Sequence, residues 1–477
     1  MPLGILYVAS ALEAAGHEVQ VFDPFFEDWS FLKKVKVFKP DLIGLSILTA
    51  TYDRAKKMSR IFRHELPDAL ICAGGIHPTA LPERTLEDLN LDFIVYGEGE
   101  STIREVCQKL GKGKGLENVK GVVYKKNGVI IKNPPRELIQ NIDEIPFPNR
   151  DLIDVENYLI PPGYIRSYIL ARTLTIYTSR GCPAVCTFCS SHLLFGRKNR
   201  RRSVKNVLEE MRLLKEKYHI DGVYFMDDTF ATDKNWVMDF CRQKRKEKMD
   251  LIWGCQTRVT SVSEKLLKMM RKAGCVQVDF GVESGSERVL TNLKKGQRPK
   301  DIRRAFKLAK RAKLRTFATL ILGSPAEKLE DIKETERLIK EIAPSYTHIS
   351  FCTPLPGTEL YEQALKMGWV QPSFGNRWDF IKSDSPIMTI NLSSEDLVAA
   401  RSHLHNSLFW QNYRYVFYPK NIPFLLGVIW ASILDLQELI KAFKRFLKTK
   451  NTEDLVHFVL YAYRRREMTQ KTNALRK

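Results

Sequence analysis

The segment SRGCPAVCTFCSS (179–191) places Cys182, Cys186 and Cys189 on one short stretch, with three and then two residues between them. A structural zinc site takes four protein ligands, and a catalytic one takes three beside a general base that no neighbouring pattern supplies. A disulfide framework takes an even count. Thiolates also hold cubane iron–sulfur clusters. Three of them leave one iron with an open position, as catalytic metal sites do for substrate. The spacing of Cys182, Cys186 and Cys189 thus offers three readings: a cubane cluster with one open iron, a three-ligand zinc site, or three buried thiols that serve packing. The nine cysteines form an odd, unevenly spaced set. That is the usage of a reducing compartment, where thiols serve metal or packing.

Such a loop needs a scaffold. With 477 residues, 44% hydrophobic and 27% charged, the chain has the composition of a globular protein of several domains. Apolar runs at 17–23, 41–47, 69–75 and 92–98 read as strands, and 7–16, 51–66 and 99–110 as helices. The alternation predicts βαβ units and a doubly wound parallel sheet, which binds ligands at the carboxyl ends of its strands. Those ends carry Ser46 to Thr49, GGIHPT (74–79) and GEGES (97–101), where glycines let a ligand or phosphate approach the backbone. Residues 119–132 read as a hairpin around Asn127 and Gly128, and the proline-rich 133–153 as a linker. Six further strands are predicted at 173–179, 222–228, 251–257, 276–283, 315–323 and 346–354. Six βα units make an open (β/α)6 partial barrel, whose chemistry sits at the C-terminal strand ends. The cysteines follow its first strand. The predicted class is thus α/β: a Rossmann-type domain at 1–132, a linker at 133–165, the partial barrel at 166–365 and a mostly helical region at 366–477.

Cys182-x3-Cys186-x2-Cys189 after the first strand of a barrel resembles the radical S-adenosylmethionine (radical SAM) superfamily. The resemblance implies that these three cysteines are the metal ligands of a [4Fe–4S] cluster, whose unique iron chelates SAM and which, when reduced, cleaves it to a 5′-deoxyadenosyl radical. The resemblance implies that Phe188 approaches adenine and that Asp227 and Asp228, in FMDDTF (225–230), lie at the SAM amino group. Gln256 and Arg258 end the third strand. Glu283 and Ser284, in DFGVESGSE (279–287), would face the ribose or carboxylate, and LILGSPAE (320–327) would flank adenine. TPLPGTELYE (353–362) matches the end of the sixth strand. The stretches PLGILYVASALEAAGHEVQVFD, GGIHPTALPE, VYGEGE and IDEIPFPNRDLI resemble the cobalamin-binding radical SAM proteins, so that the resemblance covers residues 2–365. It implies cobalamin held at the strand ends by Ser46, Thr49, Gly74, Gly75, His77, Gly97 and Glu98. The Asp-x-His-x-x-Gly pattern of cobalamin mutases is absent, so no histidine ligand of that type is expected, and His77 has a second reading as a loop-packing residue. Met1 to Gly4 stand where the family already has its first strand behind it; a parallel sheet lacking that strand would expose edges, so either the start is misassigned or the chain is slightly truncated.

The resemblance implies methylation of an unactivated carbon or phosphorus, fed by an external electron donor of the flavodoxin or ferredoxin type. Ring formation or skeletal rearrangement is the alternative within the family. The formal charge of +21 raises a third class, RNA-modifying enzymes resembling methylthiotransferases. Those carry three further cluster cysteines in the N-terminal domain, where this chain has only Cys72 and Cys107, and nucleic acid is not the expected partner. The first residues lack a basic n-region, so no signal peptide is expected, which points to the cytoplasm. The longest apolar stretch, 422–434, is too short to span a bilayer. Beyond it, residues 437–477 carry eleven Lys or Arg against four acids, with Phe443 and Phe446 among them. That is the pattern of an interfacial helix. It suggests peripheral contact at the inner membrane face and a lipid-like substrate, against a soluble small molecule.

Overall fold

In a computed structural model, three of the four N-terminal apolar runs become parallel strands: β1 (Leu42–Ser46), β2 (Leu70–Gly74) and β3 (Phe93–Val95). The model describes residues 1–26, 30–160, 163–165, 168, 170–370, 386–414, 418–422, 425–427, 429–430 and 440. Packing divides the chain into two units. The first comprises Met1–Asp154, Ser179–Ser203 and Thr353–Ser385, and the second Val155–Thr178, Val204–Cys352 and Pro386–Lys477.

In the first unit the sheet runs in the order β1-β2-β3 and continues antiparallel through a hairpin, β4 (Val122–Lys126) and β5 (Val129–Lys132). Helices Leu3–Glu13, Tyr52–Glu65 and Gly99–Leu110 cover it. Phe93, Val95, Ile103, Val106, Val119 and Val122 form a shared core, because the helix at 99–110 presents one apolar stripe to the strands. The run at 17–23, expected as a strand, is irregular. Its alternation is real, but Val19 and Val21 are only half-buried. Alternation makes a strand only where a neighbour accepts its backbone hydrogen bonds, and β1 is the edge of the sheet.

The second unit opens with β6 (Thr173–Ile176). Two short strands of the first unit come next in the chain, β7 (Ser179–Arg180) and β8 (Arg200–Arg201), and pair antiparallel with each other. The second unit resumes with β9 (Gly222–Phe225), β10 (Ile252–Thr257), β11 (Cys275–Glu283), β12 (Arg315–Leu322) and β13 (Tyr346–Phe351). Its six strands are all parallel and ordered β13-β12-β11-β10-β9-β6, the open half-barrel expected from the sequence. β6 and β9 are buried along their whole length, as strands covered on both faces must be. Polar side chains cap the starts of two of the intervening helices, at Asp233 and Ser263. Asp233, for example, accepts the amides of Asn235 and Trp236 at 2.9 and 3.0 Å. The open edge at β13 is blunted by helix Phe409–Tyr413. There the Asn412 amide accepts the Thr347 N–H at 2.8 Å and donates to the Thr347 carbonyl at 3.1 Å, standing in for a ladder partner. Among the described residues no helix is long and apolar enough to cross a membrane. The basic stretch 437–477 lies outside the described residues, Ile440 apart.

Candidate active site

The cysteine loop is a closed structure. The β7–β8 ribbon joins its ends, and Asn199 donates from Nδ2 to the Gly181 carbonyl at 2.9 Å. Gly181 has φ +89°, and a Cβ there would press on the Lys198 carbonyl and lie 2.9 Å from that of Phe195. Only glycine fits. Within the loop, Arg197 donates to the Ala184 carbonyl at 2.6 Å, the Cys189 amide to the Cys186 carbonyl at 3.3 Å, and His192 Nδ1 to the Cys189 carbonyl at 3.0 Å. The amide of Leu360, at the start of helix Glu359–Lys366, donates to the Thr187 carbonyl at 2.9 Å. Cys186 is buried, and Cys182, Phe188 and Cys189 are half-buried. None of the nine cysteines is in a disulfide. Among the described residues no three His, Cys, Asp or Glu side chains converge on one metal ion. A cubane does not ask for that, since each thiolate takes a different iron. A three-thiol donor set on one fixed loop fits such a cluster.

In the second unit, the SAM-contact residues implied by the resemblance stand at the carboxyl ends of the strands. Asp227, fully buried, accepts the Thr178 amide on Oδ1 at 2.6 Å and the Thr178 hydroxyl on Oδ2, tying β9 to β6. Gln256 donates to the Asp227 carbonyl at 2.8 Å, and Asp228 is half-buried beside it. Glu283 ends β11 with φ +63°, a costly conformation for a non-glycine residue. Its carboxylate pairs with Lys295 at 2.5 Å, both nearly out of solvent. Ser284 is buried and shares a hydrogen bond of 3.1 Å with Thr335. Three residues that sequence reasoning passed over complete this end of the barrel. Lys295 and Gln297 come from NLKKGQRP (292–299), and Glu327 from the quoted LILGSPAE. Gln297 donates to the carbonyls of Gly281 and Val282 at 2.9 and 3.1 Å, while its buried Oε1 has no partner among the described residues. Glu327 caps the Gly323 and Ser324 amides with Oε2, and among the described residues its buried Oε1 likewise has no partner. Burial outweighs those two bonds and pushes the Glu327 carboxyl up to about 7. Unsatisfied buried polar atoms at adjoining strand ends suit a polar ligand such as SAM.

The residues implied for cobalamin divide into two groups. Ser46 is exposed, and Gly97, at φ +79°, has open space where a Cβ would stand. Both leave room at a strand end, as a bulky ligand requires. Gly74 and Gly75 instead face protein: a Cβ would lie 3.2 Å from the Val95 carbonyl and 2.9 Å from that of Ile47. Thr49 and His77 are buried together, with His77 Nδ1 3.2 Å from the Thr49 hydroxyl and its ring 4.4 Å from that of Tyr52. Burial lowers the His77 pKa to about 4, so the ring is neutral at pH 7, packed as in the second reading of this residue. Glu98 is buried and held by arginines. Cys72 and Cys107, the only N-terminal thiols, have their pKa values raised by burial.

Comparison with known proteins bears on both units. A B12-binding domain model matches residues 1–107, and a radical SAM superfamily model matches residues 176–339. The chain is 36% identical over 371 residues to an uncharacterized methyltransferase of Pyrococcus horikoshii, covering 76% of this chain and 78% of that one. It is 29% identical over 425 residues to cytidylyl-2-hydroxyethylphosphonate methyltransferase of Streptomyces wedmorensis, covering 78% and 79%. It is 28% identical over 373 residues to the anaerobic magnesium-protoporphyrin IX monomethyl ester cyclase of Rubrivivax gelatinosus, covering 76% and 66%. The fold is shared with the radical SAM methyltransferase TsrM of Kitasatospora setae, solved with cobalamin and a [4Fe–4S] cluster, at a TM-score of 0.65 and 19% identity over 78% of this chain and 74% of that one. The chain therefore belongs to the cobalamin-binding radical SAM enzymes of methyltransferase type, whose cofactors are a [4Fe–4S] cluster, S-adenosylmethionine and cobalamin.

Proposed function

We propose that this enzyme methylates an unactivated carbon, or a phosphorus, of a small-molecule substrate, with Cys182, Cys186 and Cys189 binding the cluster. The observation that carries the reading is the fixed three-cysteine loop in a chain whose first 107 residues match a B12-binding domain. When bound, the cofactors supply a carbon radical able to take hydrogen from an unactivated C–H bond and a methyl group to replace it. The protein's own share is placement. Phe188, on the cysteine loop, offers an aromatic face. Gln256 holds the Asp227 carbonyl, and Asp227 in turn fixes Thr178. Lys295 holds Glu283 in its strained conformation, and Gln297 Oε1 is an acceptor for a ligand hydroxyl or amine. Ser46 and Gly97 leave space for cobalamin. The chain boundaries read from the sequence, 1–132 for cobalamin and 166–365 for SAM, assign these roles to separate segments.

The resemblance to the ester cyclase supports a second reading, oxidative ring formation. Product analysis separates the two. Methyl transfer uses two SAM, one giving up its methyl as S-adenosylhomocysteine and the other cleaved to methionine and 5′-deoxyadenosine, whereas a cyclase yields methionine and 5′-deoxyadenosine without S-adenosylhomocysteine. Anaerobic incubation with SAM, hydroxocobalamin and a flavodoxin or ferredoxin reductant should yield methylcobalamin and S-adenosylhomocysteine. Their absence beside abundant 5′-deoxyadenosine would leave the cyclase reading. Contact with an anionic membrane, and with it a lipid-like substrate, extends the proposal and is supported by the composition of 437–477.

A further inference from the structure

A neutral cluster of four buried charges lies in the first unit, outside the strand ends that would face SAM. Arg180 in β7 donates from Nη1 to Glu98 Oε1 at 2.9 Å and from Nη2 to Glu100 Oε1 at 2.5 Å. Arg200 in β8, its ladder partner, donates from Nη1 to both Glu98 oxygens at 2.8 and 3.0 Å. It also reaches the carbonyls of Ile139 and Phe195. Glu98 Oε2 further accepts the Ile139 amide at 2.8 Å. Arg180 lies over the rings of Tyr7 and Phe195, at 5.2 and 5.3 Å from their centroids. The four side chains are 2–9% exposed. Burial works against the Arg180 charge, but Glu100 and Glu98 outweigh it and raise its pKa.

The two arginines sit at opposite ends of the cysteine loop, and a single carboxylate grips both. Buried ion pairs give little net stability over apolar packing, but they can fix a register. A guanidinium fork accepts a carboxylate in few geometries, and a one-residue slip of the ribbon would turn Arg180 and Arg200 away from Glu98. The register decides where Cys182, two residues beyond Arg180, begins the loop.

We propose that Glu98 is a positioning residue for the iron–sulfur cluster: it locks the β7–β8 ribbon through Arg180 and Arg200, and it is not a cobalamin contact. The proposal rests on the cluster reading of the three cysteines. It also predicts that the thiols are organised before iron arrives, which makes it testable on the iron-free full chain.

The test compares wild type, Glu98→Gln and Arg180→Lys. It measures iodoacetamide alkylation of Cys182, Cys186 and Cys189 in the iron-free protein by mass spectrometry. Iron per chain and the midpoint potential of the cluster signal follow after anaerobic reconstitution, and hydroxocobalamin affinity comes from visible titration. In Glu98→Gln the three thiols should react about tenfold faster as the loop opens locally, with hydroxocobalamin affinity within about twofold of wild type. Iron content should fall below half, and the potential of any cluster retained should shift. Arg180→Lys, which keeps the charge and loses the fork, should fall between the two. Wild-type thiol rates and iron content in Glu98→Gln would overturn the proposal. So would unchanged thiol rates with cobalamin affinity weakened about tenfold, since Glu98 would then be a cofactor contact. If Glu98→Gln does not fold, Arg180→Lys decides by the same thiol rates, and unchanged rates again overturn the proposal. A wild-type chain that takes up no iron would sink the cluster reading instead, while the thiol comparison would still judge the clamp.

Discussion

Glu327 shows how one side chain links the strand ends to the stability of the protein. Its carboxyl is 1% exposed, caps two amides through one oxygen and leaves the other without a partner among the described residues. Burial raises its pKa to about 7 from the ordinary 4.5. A carboxyl that holds its proton more tightly when folded stabilises the fold fully below pH 4.5, and that contribution is lost as the pH rises through about 7. The difference amounts to about 3 kcal/mol. Glu327→Gln keeps the capping oxygen and cannot ionise. Denaturant unfolding should therefore show the variant gaining on wild type by about 3 kcal/mol between pH 4.5 and pH 8.5. A gap that does not change with pH would mean that Glu327 ionises freely in the native state.

At the scale of elements, the cysteine loop depends on its glycine as much as on its thiols. Gly181→Ala places a methyl against the carbonyls of Phe195 and Lys198 at a φ that alanine avoids. It should cost about 1–3 kcal/mol, and iron bound on reconstitution should drop in parallel. Full iron content and an unchanged melting temperature would show that the loop relaxes around the methyl. The strands of both sheets were legible because each is a short apolar run bounded by turn residues, a local property of the chain. The run at 17–23 has that property and is still no strand, because pairing depends on a neighbour that the run itself does not specify. The cysteine spacing was likewise local. Lys295 was not, since its role appears only when a loop folds back onto Glu283, twelve residues earlier. Nor was the Arg180–Glu98 pair, whose members are 82 residues apart. For His77 and Glu98 the sequence marked glycine-rich loops, and burial then decided what the side chains touch.

For the whole molecule, the charge of +21 is not explained by the ion pairs of the fold. Most of those lie on the surface, as Lys120–Glu137 and Lys215–Asp250 do, and exposed pairs contribute little. An anionic membrane would use the excess, because each basic residue near the surface adds about 1 kcal/mol. The full chain should co-sediment with phosphatidylserine vesicles at low salt and release at high salt, and a chain ending near residue 420 should not pellet. Equal, negligible pelleting of both would remove the membrane contact and leave the chemistry intact. The proposed chemistry needs the three thiolates of the cysteine loop to hold a cluster that cleaves SAM, and quantifying 5′-deoxyadenosine tests it most directly. Anaerobically reconstituted wild type, given SAM and dithionite, should release 5′-deoxyadenosine, and Cys186→Ala should release none above background. Equal release from both proteins, or none from wild type carrying a full cluster, would contradict the account.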